Sequence, residues 1–381
     1  MQGTSRPTVI VGNPGQQTLA RTTLDAIQAD RVIETFDDPQ AATSWLGERE
    51  PHAILVRLNE QAAEEFIFGI RTISRLSRVP VIVLSTELSD LRFAQAYTWG
   101  ADDVVRESDE DGLRRRLHWI PEDLKHSIPA SRGRVVLAHA EQRSRVLYAW
   151  VLRNAGFDVE FATDAVGLTK SAAAPEPVLV VADAGLEADG TVGALRRTRE
   201  TGEVRPWIIL ASPKDMASVG RQVSGEPRVA VHDAFAPPEN LHFVANEMLS
   251  SRFAEQRASP RLLFGTMVAF RAAGRDRDRF GFSYNVSEQG IFVRTLDPLA
   301  RGDEAWLEFT PPRTDRRVRL EGTVAWASTL GQAVGSVPPG FGVHLTEGSR
   351  SDLQRYRDGY VAFARDLAGR QTSIGPSRTG P

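Results

Sequence analysis

The chain has 381 residues, too many for one ordinary core and suited to about two to four domains of roughly 100 to 150 residues each. Its hydrophobic share of 41% and charged share of 25% are those of a folded globular protein, and a net charge of −3 argues against a dedicated nucleic-acid binder, which would carry a strongly basic domain. Cysteine is absent, which excludes disulfides, thiolate metal sites and a cysteine nucleophile, and the seven histidines form no HExxH or HxxxH ligand pair.

No apolar run approaches the roughly 20 residues that cross a bilayer, and the leader MQGTSRPTVIVGN lacks the apolar stretch and cleavage site of a secretory signal. The expected location is therefore the cytoplasm, with no membrane insertion and no DNA partner. Lysine occurs only at Lys125, Lys170 and Lys214, so nearly all positive charge is arginine. An isolated arginine motif carries little weight in such a chain.

The first segment alternates short apolar runs with amphipathic stretches: Thr8 to Val11, Leu19 to Ile27, Ala53 to Val56, Phe66 to Leu76 and Val79 to Leu84. Runs of four to six apolar residues suit parallel strands covered on both faces, and the intervening 3.6-residue periodicity supplies the covering helices. Gly100 to Val105 and a helix carrying Leu113, Leu117 and Ile120 complete a doubly wound βα unit, expected over residues 1–124. A polar, proline-bearing stretch, 125–133, reads as a linker.

The rhythm restarts over residues 134–252. Strands are expected at Arg134 to Ala138, Phe157 to Phe161, Val178 to Val181 and Trp207 to Leu210, with helices over Val146 to Ala155 and along Leu241, Val244, Met248 and Leu249. The two segments are an internal duplication of fold type.

Val79 to Ser85 followed by Gly100-Ala101-Asp102-Asp103, together with this strand order, resembles response-regulator receiver domains in both segments. That family holds Mg²⁺ with two acids after the first strand, phosphorylates an aspartate after the third and neutralises the phosphoryl group with a lysine after the fifth. Hard oxygen ligands and an offsetting cation are what such chemistry needs. In the first segment these positions map to Gly12 and Asn13, to Arg57, and to a place within Arg106-Glu107-Ser108, with Ser85 keeping the family's hydroxyl. In the second they map to His139 and Ala140 with Glu141 beside them, to within one residue of Asp183, and to Ala236. The resemblance thus implies two non-phosphorylatable pseudo-receivers that serve for contact.

From Arg261 onward the pattern changes to strands without intervening helices: Thr266 to Ala269, Gly281 to Asn285, Gly290 to Thr295, Glu304 to Thr310, Arg317 to Ala327 and Gly340 to Leu345. Separated by Gly, Pro and Asp turns, these predict an antiparallel barrel or sandwich. Leu353, Tyr356, Tyr360, Phe363 and Leu367 then form one apolar stripe on a helix opened by Ser349 or Ser351, which either packs on the barrel end or forms a dimerisation seam. A barrel-plus-helix segment is expected over 253–368 and a disordered tail over 369–381. The arginines Arg271, Arg275, Arg277 and Arg279 form either phosphate contacts or a solvated loop.

The RxxxR pair Arg257 and Arg261 stands just before the first strand of this segment, and Asn285-Val286-Ser287-Glu288-Gln289-Gly290 forms an NxSxxG turn further on. With Gly290-Ile291-Phe292-Val293, Gly322 to Trp326 and Pro339 to Val343, these resemble PilZ domains. The resemblance implies an antiparallel β-barrel and cyclic di-GMP as ligand, bound by Arg257, Arg261, Asn285, Ser287 and Gly290. Arginine bonds bidentately to phosphate or to the guanine O6/N7 edge and stacks on bases. An asparagine amide can pair with a guanine edge, a serine hydroxyl can donate, and glycine keeps the backbone close. The same residues would also make an Asx-type cap on a hairpin.

Gln256 replaces the extra arginine that accompanies a stacked ligand pair in this family, which implies one ligand per site. The expected protein is a cytoplasmic cyclic di-GMP receptor acting on signalling or motility proteins, with neither catalytic residues nor a cofactor. The rival expectation is a ligand-independent interaction adaptor.

Overall fold

In the computed structural model of the chain, residues 6–12, 32–121, 131–186, 190–249, 259–330 and 337–370 are described, with side chains through 367. The helix expected over Leu19 to Ile27, Asn13, Arg257, most of the linker and the tail beyond Arg370 lie outside the described residues. The described residues fall into two compact units, one drawn from Met1–Ile128, Ser259–Val334 and Pro338–Val361, the other from Pro129–Ala258, Gly335–Val337 and Ala362–Pro381.

The first unit opens with five parallel strands, β1 (Thr8–Gly12), β2 (Ile33–Phe36), β3 (Ala53–Arg57), β4 (Val81–Ser85) and β5 (Asp103–Arg106), in the order β2-β1-β3-β4-β5. All five residues of β1 and of β4 are buried, as strands covered on both faces require. Each covering helix starts on a side-chain cap: Asn59 accepts from Ala62 N, Ser89 from Arg92 N and Asp109 from Gly112 N. These caps satisfy amides that the first helical turn leaves unbonded. The helix Asp90–Trp99 stops at Gly100, whose φ of 95° is the left-handed termination that favours glycine.

The same unit contains the barrel. Strands β12 (Met267–Ala272), β13 (Arg279–Ser287), β14 (Gly290–Arg294), β15 (Glu304–Phe309), β16 (Val318–Ser328) and β17 (Gly340–Gly348) are antiparallel, and β13 pairing with β14 closes the ring. The short strand β11 (Leu262–Leu263) adds to β13. Period-two burial along β15 and β16 sends Leu307, Phe309, Leu320 and Val324 inward. The helix Arg350–Arg370, capped by Ser349 accepting from Asp352 N, lays Leu353, Tyr356 and Tyr360 into that core. Leu353, Tyr356 and Tyr360 of its apolar stripe therefore pack on the barrel, and the helix runs past the point where the tail was expected.

Sheet and barrel share buried groups. Phe282 of β13 leaves the barrel interior and stacks on Phe93 at 5.6 Å within the core of the parallel sheet. The Asp103 carboxylate, fully buried at the start of β5, accepts from Arg116 Nε at 2.8 Å, Leu296 N at 2.7 Å and Thr295 Oγ1 at 3.1 Å. Arg116 also donates to the Phe280 carbonyl at 2.9 Å. Burial opposes the Arg116 charge, but Asp103 and Asp297 outweigh it and hold its pKa above the usual value. Beside it Asp297 accepts from Arg115 and Arg279, and burial keeps its carboxyl above the usual range despite those cations. Arg294 lies 3.6 Å over the Tyr97 ring and donates to the Ala101 carbonyl.

The arginines around the β12–β13 loop divide between bonded strand positions and exposed loop positions. Arg279 bonds Asp297, Arg277 bonds Asp111, and Arg271 bonds Asp278 while lying 3.9 Å over Trp306. Arg275 and Arg277 are exposed, as a solvated loop leaves them.

The second unit repeats the first sheet. Strands β6 (Arg134–Ala138), β7 (Asp158–Ala162), β8 (Pro177–Asp183), β9 (Trp207–Ala211) and β10 (Val229–Asp233) are parallel in the order β10-β9-β8-β6-β7, the same winding read from the opposite edge. Two apolar layers cover it, one around Leu168, Leu195 and Ile209, the other around Leu152, Ile208 and Leu241.

Replacing Asp103 by Ala leaves Arg116 buried without its carboxylate, so it should cost about 3–5 kcal/mol. Urea unfolding of the full chain, followed by a signal from the first unit, measures it, and a loss well under 1 kcal/mol would show that the pair is not structural.

Candidate ligand site

The turn between β13 and β14 is held from three sides. The register pairs Ser287 with Gly290 across it and Asn285 with Phe292, and a β-bulge lies between Ser283 and Asn285. Bulges re-aim the side chains beside them, and Asn285 is buried directly after this one. From below, the Tyr356 hydroxyl donates to the carbonyls of Ser287 at 2.7 Å and Gly290 at 2.8 Å. From the side, Gly290 pairs with His344 of β17, and a Cβ on Gly290 would stand 2.9 Å from the Val343 carbonyl. The glycine is therefore needed for close strand approach at the opening of β14.

The chain before the barrel is bound to this turn at two points. Leu262 and Leu263 pair with Val286 and Asn285, and Ser259 Oγ accepts from Glu288 N at 3.1 Å. The Tyr360 hydroxyl adds a bond to the Pro260 carbonyl at 2.7 Å. Arg261, exposed, lies between these tethers, next to Leu262, which pairs with Val286. Arg257 lies outside the described residues. Burial raises the pKa of Tyr356 and of Tyr360, which keeps both hydroxyls protonated as donors.

Periodicity singles out Tyr356 and Tyr360 as apolar-stripe residues and is silent on their hydroxyls. A hydroxyl on a buried ring needs a partner, and that requirement is the signal that could have flagged them.

In the parallel sheets, register locates the receiver positions. One residue beyond the pair Val56 and Val83 stands Arg57, and one beyond the pair Ala182 and Ile209 stands Asp183. Arg57 ion-pairs with Glu107. Asp183 Oδ2 is 3.8 Å from His139 Nε2, whose pKa burial lowers while Asp183 and Glu141 push it back up. At the end of the fifth strand, Arg106 stands opposite Ser85 in the first sheet and Asp233 opposite Ala211 in the second. Neither strand end carries a lysine. Among the described residues no group of three or more His, Asp or Glu side chains could hold a metal ion, and no helix is long and apolar enough to cross a membrane.

The PilZ domain family matches residues 255–359. Residues 255–359 are a PilZ domain. This is a domain known to bind cyclic di-GMP, and here it stands in one chain with two receiver-like domains. Among solved structures, the Bacillus subtilis inhibitor of motility MotI/DgrA is 20% identical over 30% of this chain and 53% of its own, with a TM-score of 0.25. The chain thus spans about half the length of that protein. A response regulator in red light signalling of R. palustris is 17% identical over 30% of this chain and 92% of its own, TM-score 0.26. The PilZ domain of CeSA from a cellulose-synthesizing bacterium is 14% identical over 29% and 98%, TM-score 0.21. A comparison with curated proteins finds no match. With TM-scores this low, the fold assignment rests on strand order, ring closure and the family match.

In the PilZ domain, Tyr356→Phe deprives two turn carbonyls of their donor. It should lower stability by about 1–3 kcal/mol, read by urea unfolding, with the secondary structure unchanged by circular dichroism.

Proposed function

We propose that this chain is a cytoplasmic cyclic di-GMP receptor that takes one ligand per site. Arg257 and Arg261 would bond phosphate or guanine edges, Asn285 a guanine edge and Ser287 a ligand acceptor, while Gly290 keeps the turn clear. One observation carries the reading. The pairing of Leu262 and Leu263 with β13 and the bond from Glu288 N to Ser259 Oγ bring the segment bearing Arg261 beside the NxSxxG turn.

The receiver-like domains serve as protein contacts for a signalling or motility partner, and the chain acts without catalysis or a cofactor. Arg57 cannot form an acyl phosphate. Asp183 has His139 where the family's first metal-binding acid stands and Ala236 where its neutralising lysine stands, so neither Mg²⁺ nor the added phosphoryl charge is provided for.

Calorimetric titration tests the ligand. Cyclic di-GMP should bind the wild-type chain saturably, and affinity should fall at least tenfold in Arg261→Ala and in Asn285→Ala. Absence of heat in the wild type would instead leave a ligand-independent adaptor. Incubation with acetyl phosphate and Mg²⁺ should leave the intact mass unchanged, whereas an added phosphoryl group abolished by Asp183→Asn would make the second receiver-like domain a true phosphoacceptor.

A further inference from the structure

In the first unit, the ends of β3 and β4 and the start of the helix Asp90–Trp99 border an open cavity of about 350 Å³. Two guanidinium groups line it. Arg57 is paired with Glu107, whereas Arg92 is poorly provided for. The Arg92 side chain is only 15% exposed, its carboxylate neighbour Glu60 stands 3.8 Å away and is itself 65% exposed, and its buried Nε has no acceptor. Trp99 covers the guanidinium at 5.5 Å from the ring centroid. A desolvated cation with an unfilled donor is costly, and an exposed carboxylate at that distance offsets little of the cost.

The remaining lining is suited to one class of ligand. Thr86 and Ser89 bring hydroxyls; Ser89 Oγ accepts from Arg92 N and still has its own proton to donate. Leu58 and Leu91 provide apolar wall, and Leu91 is 66% exposed. The rim carboxylates of Glu60 and Glu87 oppose an extended polyanion and leave room for a single compact anionic group. The volume exceeds what phosphate alone would fill and lies at the small end of ordinary ligand pockets.

We propose that this cavity binds a small organic phosphate monoester non-covalently, its phosphate on Arg57 and Arg92 and its organic part on Leu58 and Leu91. The substitution of Arg57 for the phosphoacceptor aspartate then converts a site for covalent phosphorylation into one for reversible capture. The site adjoins the barrel. Asp90, between the lining residues Ser89 and Leu91, accepts hydrogen bonds from Met267 N and Thr266 Oγ1 at the start of β12. Occupancy of the cavity and the set of the first barrel strand therefore meet at one residue.

Titration of the full chain with phenyl phosphate at constant ionic strength, followed by calorimetry, is the test. Saturable binding is expected, weakened at least tenfold by Arg92→Gln and by Leu91→Glu. The second variant alters an exposed side chain, so its melting temperature should match wild type while the new acid repels the ligand. Arg261→Ala should leave phenyl phosphate binding unchanged, so failure here is distinct from failure at the barrel. Absence of saturable heat, or an undiminished affinity in folded Leu91→Glu and Arg92→Gln chains, would overturn the site.

Discussion

The buried pair of Asp103 and Arg116 joins the first parallel sheet to the barrel through bonds to Leu296, Thr295 and Phe280. Both side chains are almost completely buried, and the carboxylate spends its remaining capacity on Leu296 N and Thr295 Oγ1 of the barrel. Phe282 and Leu296 supply apolar area to the same junction, but apolar contact is non-directional. A buried carboxylate is not. Its lone pairs admit a small set of donor positions, and any other docking would strand a charge away from water. The ion pair therefore selects one arrangement, and the aromatic contacts stabilise it.

That arrangement gives β13 two roles. Its first half, at Phe280 and Phe282, belongs to the junction with the sheet, while Asn285 and Ser287 in its second half belong to the NxSxxG turn. The bulge between Ser283 and Asn285 separates them. At that bulge the Ser283 hydroxyl donates to the Phe264 carbonyl and accepts from Thr266 N, which holds the chain that follows Arg261. The first parallel sheet is in this way a support for the strand that leads into the NxSxxG turn.

The C-terminal helix has a comparable double use. Its apolar stripe fills the barrel end, and two tyrosines in that stripe send their hydroxyls to the turn and to the arm. A phenylalanine would fill the same volume. The hydroxyl turns a packing residue into one that also holds the turn and the arm, because a buried O–H without a partner would be destabilising.

What the sequence determined by itself is whatever repeats with a short period or requires a special residue locally. Apolar runs without alternation announced the parallel strands at Thr8 to Val11 and Arg134 to Ala138, two-residue alternation announced β15 and β16, and the spacing from Leu353 to Tyr360 announced the helix. The PilZ motif was legible because its turn is contiguous. The tertiary structure alone decided which side chains of the arginine-rich composition meet which acids. Arg116, Arg115 and Arg279 look like any of the 46 cationic residues, and the acids and amides they secure lie up to 182 residues away. An ion pair has no periodicity and leaves no local mark, so Asp103, Asp297 and the joining of the first sheet to the barrel could be read only once the chain had folded.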